Sequence, residues 1–88
     1  MIEVNKKTFI FKKAAIYRII VNGTIDKSWS ARLNDMQITT EKNSRKETFT
    51  SLVGKINDQT ALSSILTTLY DMHMTLISVK MLSEIVEG

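Results

Sequence analysis

The chain has 88 residues, 43% of them apolar and 24% charged, with a formal charge of +3 and no cysteine. A chain this short buries only ~60 to 65% of its unfolded surface, so one hydrophobic core is expected, and the composition is that of a folded domain rather than a disordered segment. The missing cysteines exclude disulfides, thiolate nucleophiles and sulfur-ligated metals, which leaves packing or oligomerisation to stabilise the fold.

No apolar run approaches the ~18 residues that mark a membrane span. The opening MIEVNKKTFIFKK lacks the apolar core and small-residue cleavage site of a secretory signal, so a cytoplasmic location is expected. Two basic clusters, Lys6, Lys7, Lys12 and Lys13 near the start and Arg45 with Lys46 in the middle, sit beside turns or chain ends. They read as solvated loop charge rather than as a phosphate-binding array, which makes nucleic acid an unfavoured partner.

Residues 1–14 are read as an arm or strand extension. Phe9 and Phe11 alternate with Thr8 and Ile10, a pattern compatible with extending the first strand, adding an edge strand or reaching a neighbouring subunit. Residues 15–83 are expected to form a single α+β domain, with 84–88 as a tail. AIYRIIVNG, residues 15–23, is dense in β-branched residues and ends on Asn-Gly, which terminates a strand well. Both its faces, Ile16/Ile20 with Arg18 and Tyr17/Ile19/Val21, are largely apolar, as in a central strand covered on both sides.

Between residues 23 and 39, Ser28 is placed to cap a helix of about two turns, with Trp29, Leu33 and Met36 at the spacing of one helical face. A hairpin without a helix fits this short piece as well. Asn34-Asp35 would close the helix, and a second strand follows with Met36, Ile38 and Thr40 on one face. EKNSRKE, residues 41–47, is polar throughout and reads as a hairpin loop. In the third strand, Phe49, Ser51 and Val53 share one side and Thr50, Leu52 and Ile56 the other, with Gly54 at a bulge or a close backbone approach.

Asn57 or Asp58 caps the main helix. Ala61, Leu62, Ile65, Leu66 and Leu69, with Met72 or His73, form its buried stripe, opposite a polar face rich in Ser and Thr that is poor in intrinsic helix propensity. Thr75 to Leu82 is the last strand, apolar on both faces apart from Ser78 and Lys80. The order strand, short helix, strand, strand, helix, strand with right-handed crossovers predicts a ferredoxin-like βαββαβ sandwich on an antiparallel sheet, the first and third strands central.

Three local patterns, I-D-K-S-W-S (residues 25–30), G-K-I-N-D-Q-T-A-L (54–62) and L-I-S-V (76–79), resemble those of a family of small bacterial domains without assigned chemistry, over roughly three quarters of the chain. The resemblance implies a compact domain and carries no catalytic residue across. Relatives usually hold glycine, often with proline two residues later, where this chain has His73 and Thr75. A helix stop before the return strand takes a positive φ easily, so His73 is read as a joint rather than a reactive group.

Catalysis needs convergent polar groups or a bound metal. One histidine, scattered glycines and aspartates at turns and caps offer no nucleophile-base pair, no three-ligand set and no phosphate loop; no catalytic residue, cofactor or metal is assigned. Trp29 is suited to plug the core or anchor a surface. Tyr17 and Phe49 would form an aromatic platform if they share the sheet face away from the helices.

Two functions follow. The first is a non-enzymatic interaction or assembly module, homodimeric through the open sheet face or through edge strands, with Tyr17 and Ile19 on the contact and a protein partner possible in place of a second copy. The second is a small-ligand or nucleic-acid binder using that face or a groove beside Trp29, with Arg18, Arg32, Lys55 or Lys80 as anion contacts.

Overall fold

The computed structural model describes residues 14–84, so the expected arm and tail fall almost wholly outside the described residues. Strand β1 (Ala15–Asn22) leads into a 3-10 helix (Lys27–Leu33). Strands β2 (Gln37–Lys42) and β3 (Thr48–Ile56), helix α1 (Gln59–Asp71) and strand β4 (Thr75–Glu84) follow. The four strands form one sheet in the order β2-β3-β1-β4, and every neighbouring pair is antiparallel. The class is α+β, with β1 and β3 central as their sequences require. The strict βαββαβ order is not met, because the first helix is of 3-10 type.

That difference has a local cause. The segment is held at both ends within seven residues, too few for a sustained ladder of α-helical bonds and a length at which 3-10 turns are common. Asp26, not Ser28, is the cap: its carboxylate accepts from the Ser28 amide at 2.8 Å. Hydrogen bonds from the Ser28 amide and hydroxyl hold the Asp26 carboxyl below its ordinary pKa. At the other end Asn34 and Asp35 both adopt positive φ, 60° and 55°. Asn34 donates its side-chain amide to the Lys55 carbonyl at 3.0 Å, tying the turn to β3.

The core lies on one side of the sheet. Ala15, Tyr17, Ile19 and Val21 of β1 pack with Leu52 and Ile56 of β3, Ile38 of β2, Leu33 and Met36 around the 3-10 helix, and Ile65 and Leu69 of α1. Of the bulge or close approach expected at Gly54, the structure shows the close approach: the register with β1 is unbroken there, and an added Cβ would lie 3.1 Å from the Met36 Cα and Cγ. The buried Thr50 hydroxyl donates to the Gly23 carbonyl at 2.6 Å and accepts from the Ile25 amide at 3.2 Å. It thereby fastens the exit of β1 to β3 and satisfies two backbone groups that would otherwise be buried without partners.

Helix α1 forms from its cap: Asp58 accepts from the Ala61 amide at 2.9 Å. It ends in a Schellman motif, in which His73 has φ 61°, its amide donates to Tyr70 and the Met74 amide donates to Leu69. Both bonds satisfy last-turn carbonyls, and Met74 turns back onto the core. His73 is exposed and lies outside the buried stripe.

Candidate functional site

The expected aromatic platform does not form. Tyr17 and Ile19 pair with Gly54 and Leu52 of β3, whereas Phe49 pairs with Asn22; directly opposed residues share a face, so Tyr17 and Phe49 lie on opposite sides of the sheet. Tyr17 and Ile19, at 8% and 0% exposure, are core residues under α1. Burial raises the Tyr17 phenol pKa above its ordinary value. Neither residue is available to a partner in the folded chain, which corrects their placement on the contact surface.

Arg18 and Phe49 do lie on the other face. Arg18 reaches across β3, donating from Nε to the Ser51 hydroxyl at 3.1 Å, and its guanidinium approaches Glu41 of β2 at 3.9 Å. The arginine therefore clasps three strands, and its charge is partly answered within the sheet. Exposed pairs of this kind contribute ~0 to 1 kcal/mol.

Trp29 and Arg32 are brought together. In a 3-10 helix residues three apart lie one above the other, and the Arg32 guanidinium stands 5.4 Å from the Trp29 ring centroid. The indole is half-buried against the core. Trp29 and Arg32 border an open groove completed by Thr68, Asp71 and Met72, so the groove expected beside Trp29 exists. Lys55 and Lys80 are exposed on separate strands.

The exposed apolar surface is on β4, the strand expected to be apolar on both faces, although none of its apolar residues was among those expected at the contact. Leu76, Ile77, Val79, Met81 and Leu82 are 48%, 56%, 37%, 52% and 47% exposed. Val79, Met81 and Leu76 pair with Ile19, Tyr17 and Val21, so they point to the helix side of the sheet and yet stay uncovered. The position of the strand explains this: their partners Ile19, Tyr17 and Val21 on the central β1 are buried at the same heights along the sheet, whereas β4 lies at its edge, outside the cover that β1 receives. Two register breaks, between Ile16 and Tyr17 and between Ile20 and Val21 of β1, leave Leu82 and Ile77 as the extra residues of β4. As the last strand in the order, β4 also presents a free edge among the described residues.

By contrast β2, the other edge, is polar: Gln37, Thr39, Thr40, Glu41 and Lys42 are exposed and only Ile38 is buried. Among the described residues no cluster of three His, Asp or Glu could hold a metal ion, and no helix is long and apolar enough to cross a membrane.

A family model, the domain of unknown function DUF8691, matches residues 16–80. The chain belongs to the DUF8691 family. No curated protein and no solved structure shows significant similarity to it. The DUF8691 match runs from the second residue of β1 to Lys80 in β4. It thus takes in the Trp29 groove and most of the apolar edge.

Proposed function

We propose that this DUF8691 domain is a non-enzymatic assembly module that forms a homodimer through the edge of β4. The observation that carries this reading is the exposed run from Leu76 to Leu82 on an edge strand. Isolated proteins rarely leave a long apolar edge strand open, because it templates pairing with another chain. The exposed side chains are gathered on one strand rather than scattered singly, as apolar surface at an interaction site is. Of the two dimer geometries expected from the sequence, the edge-strand form is favoured, because Tyr17 and Ile19 belong to the core and Arg18 is engaged with Ser51 and Glu41. The fold is read as ferredoxin-like, with the 3-10 helix standing for the first helix, a reading supported by the strand order.

Sedimentation at micromolar concentration is expected to give a dimer. Met81→Lys, at a half-exposed position, is expected to give a folded monomer. A wild-type chain that sediments as a monomer throughout the micromolar range refutes the proposal. A second reading, a small-ligand site, is favoured by the Trp29–Arg32 stack bordering the groove with Asp71. It predicts that Trp29 fluorescence responds to a bound anion or aromatic, and a titration with oligonucleotides at low salt that leaves the emission unchanged removes nucleic acid from this reading.

A further inference from the structure

We infer that two copies pair β4 with β4 as antiparallel strands about a two-fold axis that passes beside Val79. This rests on the homodimer reading above and adds its register. From Thr75 to Ser83 the strand reads T-L-I-S-V-K-M-L-S, which in polar and apolar classes is the same in both directions about Val79. An antiparallel pair centred there sets Val79 against Val79, Ile77 against Met81 and Leu76 against Leu82. Thr75 then meets Ser83, and Ser78 meets Lys80. Every apolar side chain faces an apolar one and every polar side chain a polar one.

Shifted registers lose this match. Centring on Lys80 opposes the two lysines, a like-charge pairing that destabilises a sheet, and sets Ser78 against Leu82. Centring on Ser78 sets Lys80 against Leu76. The faces agree as well. A two-fold axis perpendicular to the sheet keeps helix-side residues together, and Val79 and Met81 lie on the helix side while Ser78 and Lys80 lie on the other. The two extra residues, Ile77 and Leu82, stand one on each side of Val79, so each copy brings exposed apolar side chains to both flanks of the axis.

The absence of native cysteine makes disulfide scanning a direct test. Directly opposed residues of antiparallel strands have Cα atoms ~4.5 to 5.5 Å apart, inside the ~4.4 to 6.8 Å that a disulfide accepts. Val79→Cys is therefore expected to cross-link to completion under mild oxidation. Ser78→Cys alone or Lys80→Cys alone puts the sulfurs two residues out of register, roughly 8 Å apart, and should cross-link poorly, whereas a mixture of the two should form the mixed dimer. A wild-type dimer by sedimentation whose cross-link falls at another position overturns the register and leaves the homodimer standing. A wild-type monomer, with β4 covered instead by residues 1–13 of its own chain or by a different protein, overturns both.

Discussion

Replacing His73 with glycine should stabilise the protein. His73 holds φ 61° at the position where the Schellman motif needs a left-handed residue, and for a residue with a Cβ that conformation costs roughly 1 to 2 kcal/mol. Glycine removes the cost but loses more backbone freedom on folding, which takes back about 0.5 to 1 kcal/mol. The side chain is exposed, so little packing is lost. The balance is a gain of about 0.5 to 1 kcal/mol, or ~2 to 8 °C in Tm for a domain of this size. Thermal unfolding by circular dichroism at fixed protein concentration measures it; the concentration must be fixed because association also raises Tm. His73→Val should move the other way by at least as much, since a branched side chain tolerates this conformation poorly. An unchanged or lowered Tm for His73→Gly would refute the joint reading. So would loss of dimer formation in a variant that is folded, because His73 would then have a role at a surface.

Thr50→Val keeps the shape of the side chain but strands the Ile25 amide and the Gly23 carbonyl in the interior, and a loss of about 1 to 3 kcal/mol is expected in urea unfolding. Gly54→Ala drives a methyl against the Met36 backbone and should cost about 1 to 3 kcal/mol by the same assay, with a smaller penalty if Met36 is shortened to alanine in the same chain. The raised Tyr17 pKa means the folded state holds this proton more tightly than the unfolded state. Stability is therefore flat below the unfolded tyrosine value of about 10 and falls as pH rises from there through the folded value. Urea midpoints between pH 9 and 11 should show a steeper alkaline loss in wild type than in Tyr17→Phe.

Local chemistry was legible in the sequence where one residue type satisfies one backbone need. A cap at Asn57 or Asp58, a polar loop within residues 41–47 and His73 at the helix stop were readable because each answers to a few adjacent residues; the structure selects Asp58 and narrows the loop to residues 43–47. The face of β1 was not. Ile16 and Ile20 on one side and Tyr17, Ile19 and Val21 on the other are equally apolar, so parity is set by Leu52 and Ile56 across the sheet and by the helix layer above, none of them adjacent in the chain. The same ambiguity misplaced Tyr17 and Ile19 in the candidate surface. On β4 an apolar run reads as buried, yet burial depends on how much helix is available to cover it, a quantity that belongs to the whole fold. The two-way symmetry about Val79 was open to inspection, but it gains meaning only once β4 is known to lie at an edge.

The two edges of this sheet are unlike, and that bears on how large an assembly can grow. A copy joined through β4 has used its apolar edge, and the pair then ends on β2 at both sides, where Glu41, Lys42 and the threonines meet water. Charged and polar edge strands discourage further pairing, so a contact made edge to like edge terminates itself at two chains. Exchanging the characters of β2 and β4 would move the contact without enlarging the assembly, whereas making both edges apolar would turn the same sheet into a unit that polymerises end to end. In the proposed dimer the polar second strand would in this sense be the chain stopper.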